Sequence, residues 1–535
     1  MKTLITALLS AGLALAGGPD FTQAILTLTG ATSIEELDES EIERFETLHE
    51  HPLDLNLAGR SRLVSSGLFT PFQVASILDG RSRYGDILSF TELSLTDGFT
   101  PETAEALKCF IVLRSTRAPA QSERLRVNHS LTVKSSVRPG EAAPVGGFKY
   151  ELTAGERAAF YWSSRNTFSD RSFGIGSMSA VYYGRRHLGK VIVGSYNARF
   201  AEGLAQWSGF SLSSLSSVSA FRKSSAGLSA NGSFTSSLQG VAADFDAGKW
   251  TLSAACSFSG DCLANATRTG RRTSFGLTAT RQAVSLGWRL AVPNVSIFGE
   301  AATRYDASKA VVAGAIWIPV YGSKAGVQAR WYDASWGSQY SGVSAGFENA
   351  WLNTVLEGGR RNDSSAQQYR GLLVLKPTIS LADSLTIIPS LRLNVRHRPA
   401  DDNPTRIDLR AEGSLKWREW MVSGRYNALW CKGFGWLWYV EGAHTGEHLS
   451  VYLRGGLFKI DDWDDRIYVY ERDAPGSFNV PAYSGRGWSA SAYLAWKPSS
   501  GRHSFWLRAE SLRYPWNLTP KDPKFEIHLQ YRLKL

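Results

Sequence analysis

The chain has 535 residues, with 59 Lys and Arg against 48 Asp and Glu, a formal net charge of +11 and a mean hydropathy of -0.19. After the first residues no run of about 18 apolar residues occurs, which excludes a protein that crosses a membrane by helices. The four cysteines have no metal-ligand spacing and no phosphate-binding glycine loop is present, so neither a zinc module nor a nucleotide-binding domain is expected.

Met1-Lys2, an apolar run from Leu4 to Leu15 and the small-residue site Ala14-Leu15-Ala16 read as a secretory signal peptide over 1–16, with the mature chain starting near Gly17. No Cys follows that site, which argues against a lipid anchor. Over 17–51, Ile34, Leu37, Ile42, Phe45 and Leu48 recur at helical spacing between Glu35, Glu36, Asp38, Glu39, Glu41, Glu43 and Glu46. One amphipathic helix is expected there, capped by Thr32 or Ser33. Residues 52–115 carry shorter helical patterns broken by Gly67, Gly85 and Gly98.

From 122 to 535 the period changes to two. Ile407, Leu409, Ala411, Gly413, Leu415 and Trp417 alternate with Asp408, Arg410, Glu412, Ser414 and Lys416, and Leu391, Leu393 and Val395 alternate with Arg392, Asn394 and Arg396. At the end of the sequence Phe525, Ile527, Leu529, Tyr531, Leu533 and Leu535 alternate with Glu526, His528, Gln530, Arg532 and Lys534. About eleven residues is the length a tilted strand needs to cross a bilayer core, and a charged second face is tolerable only if it looks into water. A soluble sandwich can alternate in the same way. Aromatics near strand ends, at Trp417, Trp488 and Trp496, favour a membrane barrel.

The expected fold class is mainly β, a transmembrane antiparallel β-barrel with a small all-α N-terminal domain. Dividing roughly 410 residues by about 20 to 25 per strand and turn gives on the order of 16 to 20 strands, 18 being the even choice. Loops are expected at Arg268 to Arg272, Arg360 to Gln367, His397 to Thr405 and Asp461 to Arg486, the last being either a surface loop or an infolded plug. Arg392, Arg396, Arg410, Arg508 and Arg532 point inward. They either pair with Asp408, Glu412, Glu510 and Glu526 in a solvated lumen or create an anion-favouring lumen.

Cys109 reads as a buried small hydrophobe and Cys431 sits in an aromatic segment. Cys256 and Cys262 flank a five-residue hairpin centred on Ser259 and are either a disulfide or two free thiols. Gly342-Val343-Ser344-Ala345-Gly346 matches the nucleophile-elbow pattern but lies in a strand pattern, not at a strand-to-helix turn. His444, His448, His503 and His528 have no recognisable catalytic partner, and Asp461 to Asp465 lacks calcium-loop spacing. No catalytic residue, metal or cofactor is expected.

Leu55-Asn56-Leu57-Ala58, Leu63, Gly67-Leu68-Phe69, Val74-Ala75 and Ile77-Leu78 resemble a helix-hairpin-helix unit. Tyr84-Gly85-Asp86-Ile87, Leu93, Asp97-Gly98-Phe99 and Ala104 resemble its second copy, as in ComEA-type competence proteins. That resemblance implies phosphate contacts from the hairpin backbone at Gly67 and Gly98, helped by Arg60, Arg62, Arg81 and Arg83, with Lys108 adding charge, to DNA read without sequence preference. Each copy keeps one glycine of the family's Gly-apolar-Gly turn and lacks the other, and the acidic segment upstream would repel DNA.

The arrangement as a whole resembles Bacteroidetes-type outer-membrane proteins with a helix-hairpin-helix domain. The carrying segments are His51 to Asn56, Val193-Gly194 with Phe200 to Phe210, and Asp465 to Glu471 with Pro481 to Gly487. The resemblance implies architecture and no substrate. The expected protein is therefore a non-enzymatic outer-membrane barrel, in contact with lipid, whose periplasmic helical domain docks DNA or a periplasmic protein. The alternative is a structural or secretion-accessory barrel whose helical domain caps the periplasmic mouth.

Overall fold

The computed structural model describes residues 21–37, 39–116, 127–141, 143–184, 186–209, 215–233, 238–320, 322–364, 366–382, 385–477 and 479–535. The signal-peptide expectation lies outside these residues.

Among the described residues 26 strand segments form one closed antiparallel ring. Gly227–Ala230 and Leu238–Ala247 share one edge of Leu188–Arg199, and Gln367–Leu375 and Ile379–Ala382 share one edge of Leu385–His397. Two pairs of segments thus occupy two positions, and the barrel has 24 strands. The first, Val127–Val137, closes the ring against the last, Lys524–Lys534, from Ser130 opposite Lys534 to Val137 opposite Ile527. The expectation of 16 to 20 strands is corrected. Many hairpins turn in two to four residues, as at Gly248-Lys249, Arg281-Gln282 and Arg418-Glu419, so each strand with its turn takes fewer residues than assumed.

Burial is inverted relative to a soluble protein. In the last strand Leu529 is 52% exposed while Gln530 and Arg532 are 5% and 7% exposed. Leu277, Leu356, Val422 and Leu453 are likewise exposed, against inward-facing Thr278, Glu357, Arg425 and the Arg454 pair partner Glu441, all buried. Trp250, Trp317, Trp351, Trp417, Trp420 and Trp496 are exposed at one end of the strands, and Trp162, Trp331, Trp430 and Phe434 at the other. An apolar outer band between two aromatic girdles is the architecture of an outer-membrane barrel. We call the mouth that holds Leu535 and residues 114–116 proximal and the opposite mouth distal.

Residues 21–113 form a helical domain: α1 (Phe21–Thr29), α2 (Glu39–Glu50), α3 (Arg60–Ser66), α4 (Pro71–Tyr84), α5 (Phe90–Leu95) and α6 (Pro101–Leu107). The single helix expected over 17–51 is corrected to two. Gly30, at φ +73°, ends α1, and a 3-10 turn at Ile34–Glu36 separates it from α2. Thr32 does not cap a helix but donates its hydroxyl to Glu36 at 2.8 Å, and the Ser33 side chain makes no cap.

The two copies read in 52–115 carry matching punctuation. Thr70 and Thr100 are N-caps followed by Pro71 and Pro101, and Gly67 and Gly98 hold positive φ before them. A Pro at the first helical position after a hydroxyl cap presets the helix entry without losing a hydrogen bond. Asn56 ties the copies together, donating to the carbonyls of Ile87 and Arg114 and accepting from the Ile87 N–H. A short parallel pair, Leu53–Asp54 with Ile111–Val112, joins the ends of this region. One apolar cluster runs from Ile25 through Phe45, Leu53, Leu63 and Ile77 to Phe110, so α1 and α2 share a core with α3 to α6.

The domain lies inside the barrel at its proximal half. Side chains of α1 to α3 and the segments between them bond to wall residues spread over most of the circumference, from Glu156 and Asp246 to Arg392, Arg425 and Arg532.

Candidate functional site

Two distal connections fold inward to meet the helical domain. In the first, described over 200–209 and 215–226, the Glu300 carboxylate accepts the backbone N–H groups of Glu202 and Leu204, both at 2.9 Å, and of Ala205 at 3.3 Å. Val218 and Phe221 are fully buried against Phe298, Val355 and Leu372, which anchors this segment by apolar packing as well. Ser217 donates its hydroxyl to the Gly30 carbonyl. A Cβ at Gly30 would lie 2.5 Å from the Ser219 Cβ, so only glycine permits this approach as well as this φ.

The second connection, 461–484, is the infolded alternative of the two read from the sequence. It holds a small hairpin, Ile467–Tyr468 with Ala482–Tyr483. Asp461 pairs with Arg486, Asp462 with Lys432, and Asp465 accepts N–H bonds from Cys431 and Gly433 at 2.9 and 2.8 Å. The aspartate cluster therefore fastens the segment to the wall. Deeper in, Glu471 and Asp473 pair with Arg508, and Asp473 also meets His528 at 2.7 Å.

The helical domain, the wall and the second connection converge on Glu35. Its carboxylate accepts from Arg425 Nη1 at 2.7 Å, from Arg410 Nη2 at 3.3 Å and from the Tyr470 N–H at 3.2 Å. Beside it, Glu36 binds Arg392 Nη2 at 2.7 Å and the Thr32 N–H at 2.8 Å. Burial pushes the Glu35 pKa up, but the charges of Arg410 and Arg425 overcome that effect and hold it well below the usual carboxylate range. Further along α2, Glu46 accepts the Gly476 N–H, and Glu50 pairs with Arg532. At Glu46 burial prevails. Helped by neighbouring Glu43, it raises the pKa to about 7 despite the Gly476 N–H and the nearby Arg532 and Lys149.

Arg392, Arg410, Arg508 and Arg532 are thus paired, yet partly with residues other than those expected. Arg392, Arg410 and Arg532 meet Glu36, Glu35 and Glu50 of the helical domain, and Arg410 also meets Glu412 as anticipated. Arg508 meets Glu510 as anticipated and Glu471 in addition. Asp408 accepts from Asn427, and Glu526 pairs with Arg138 and His528. Arg425 was not among the residues singled out. Extending the alternation of 420–430 through Ser423, Arg425 and Asn427 would have found it.

The six residues read as phosphate contacts are dispersed. Arg62 is bonded to Glu156 at 2.9 Å and lies over the Tyr183 ring, and Arg81 donates to the carbonyls of Leu55 and Ala58. Gly67 is buried beside Arg44, with its carbonyl accepting from Ser224. Gly98 and Arg83 are exposed, the latter paired with Asp79, and Arg60 lines the space between domain and wall. Cys256 and Cys262, opposite each other in the hairpin register, form a disulfide, whereas Cys109 and Cys431 are in no disulfide among the described residues. Ser344 lies within the strand Tyr340–Glu348, bonded to Glu357, with no elbow around it.

No family model and no curated protein matches the chain. Among solved structures it is similar to Pseudomonas aeruginosa OpdQ, at 9% identity and TM-score 0.33, covering 77% of this chain and 99% of that one. It is similar to Pseudomonas aeruginosa OprD at 9% identity and TM-score 0.34, over 76% and 94% of the two chains. It is also similar to the translocation pore of the P pilus usher PapC at 10% identity and TM-score 0.38, over 76% and 99%. Of the segments that carried the family resemblance, 200–209, 465–471 and 481–484 lie in the two infolded connections and His51 to Asn56 in the helical domain.

Proposed function

We propose that this protein is a gated outer-membrane conduit whose helical domain, entering from the periplasm, is the gate. The observation that carries the reading is the convergence of one carboxylate, Glu35, with two wall arginines and the backbone of a distal connection in mid-lumen. Barrels of 16 to 18 strands leave an aqueous channel and 22-stranded ones hold a plug, so a ring of 24 needs filling if it is to be closed at rest. The domain is joined to the wall largely by ion pairs and hydrogen bonds, which can exchange for water when it moves, whereas its own core is apolar. The longest connections are distal, and because outer-membrane barrels carry their longer loops on the extracellular side, this supports a periplasmic proximal mouth.

Single-channel conductance in planar bilayers tests this. The full chain is expected to conduct little, and a variant lacking 21–116 to open a large pore. Equal conductance of the two would sink the proposal.

A second reading, docking of DNA, is favoured by one observation. Arg60, Arg114, Arg157, Arg186, Arg502 and Lys534 line an open vestibule of about 2040 Å³ at the proximal mouth, though Glu50, Asp54, Glu156 and Asp246 line it too. Binding of the solubilised full chain to a random-sequence duplex, falling steeply with salt, would support it. No binding at low salt would leave a capping or protein-docking role for the domain.

A further inference from the structure

The wall of the lumen has two chemically distinct arcs. The arc from Arg392 to Arg532 is charged and grips the helical domain and the second infolded connection by ion pairs. The arc formed by Trp250–Ser257, Cys262–Thr269 and Thr273–Thr280 instead turns Thr251, Ser253, Asn265, Thr267, Ser274 and Thr278 inward. Between this hydroxyl-rich arc and helices α3 and α4 lies a cavity of about 110 Å³. At roughly 10–15 Å³ per water this is room for on the order of ten waters, the size of one sugar ring.

Three buried polar atoms at this cavity have no hydrogen-bond partner among the described residues. Two are donors, Arg289 Nη1 and Arg60 Nη1, the latter at the neck shared with the proximal vestibule. The third is an acceptor, Asp244 Oδ1; Asp244 is 4% exposed and its other oxygen is held by Lys190 at 2.9 Å. Trp288 contributes an aromatic surface to the same cavity. Buried unpaired groups are costly, and a ligand that supplies the missing partners removes those costs.

We propose that this cavity is a binding site for a neutral polyhydroxylated solute of monosaccharide size, reached from the proximal vestibule past Arg60. Sugar hydroxyls both donate and accept, so one molecule can serve Asp244 and Arg60 while its CH face lies on Trp288. A carboxylate solute would satisfy Arg60 and Arg289 and meet repulsion at Asp244. The site exists with the helical domain seated, so it stands whether or not that domain is a gate.

Equilibrium dialysis of labelled glucose and labelled gluconate against the detergent-solubilised full chain tests the site. Glucose is expected to bind saturably and gluconate at least about tenfold more weakly, since it leaves Asp244 facing a like charge. Ser253→Leu, which fills the cavity, is expected to abolish glucose binding with an unchanged circular dichroism melt. Asp244→Asn, which converts the unpaired acceptor, is expected to narrow the preference for glucose over gluconate. Absence of saturable glucose binding, equal affinity for gluconate, or a folded Ser253→Leu protein that binds as well as the parent would each overturn the proposal. Should Ser253→Leu fail to fold, Thr278→Val at the same wall reads the same loss without added bulk.

Discussion

Glu35 and Arg425 are 390 positions apart in the sequence and 2.7 Å apart in the lumen. Arg410 reaches the same carboxylate from the neighbouring strand, so a residue of the helical domain neutralises two guanidinium groups of the wall.

Glu35→Ala leaves both arginines facing an unoccupied site inside the barrel. Removing one partner of a buried pair costs on the order of 3–5 kcal/mol, while the barrel strands keep their own hydrogen bonds. The expected result is raised conductance and faster proteolysis of 21–116, with the β-sheet melt unchanged. Arg425→Ala should do the same more weakly, because Arg410 remains. Parental conductance in the alanine variant at Glu35 would break the link between this contact and closure.

Seating of the domain should depend on pH through Glu46. The groups facing it are Glu43 on its own helix, Gly476 N–H on the infolded connection, and Lys149 and Arg532 on the wall. Its pKa of about 7 lies above the usual 4.5, so the seated form binds more protons than the released form between those values. Stability of the seated form is therefore full below about pH 4.5 on this group's account and declines as pH rises through 7, by at most roughly 1.4 kcal/mol per unit for one proton. Glu35 has the opposite shift and stays ionised across that window. Conductance is expected to be higher at pH 8 than at pH 5.5, and Glu46→Gln should flatten that dependence. A dependence that survives Glu46→Gln would assign it elsewhere.

Leu63 of α3 is fully buried in the helical core. Leu63→Ala is expected to destabilise the domain by about 2–5 kcal/mol through lost burial and a residual cavity. The helical signal should melt earlier while the barrel signal does not. Concerted loss of both would mean that domain and barrel unfold as one unit.

Alkylation of the denatured chain without reductant should modify two thiols, Cys109 and Cys431, and after reduction four. Four before reduction would show that the Cys256–Cys262 bond does not form in the cell envelope.

The sequence by itself determined the barrel and its inside-out polarity, because a strand's two faces are written at alternate positions and each face meets a uniform medium, lipid or lumen. The short helical patterns broken by Gly67, Gly85 and Gly98 were legible too, because such punctuation acts within a few residues. Strand number was less legible, since it depends on how tightly each hairpin turns. Only the tertiary structure decided what the acidic segment around Glu35 is for. Its charges read as a segment that would repel DNA, whereas in the fold they neutralise Arg392, Arg410 and Arg425. Partners so far apart in sequence leave no periodic trace, and Gly67 illustrates the same limit. Its turn was visible locally, but its burial beside Arg44 follows from where the closed ring encloses the domain.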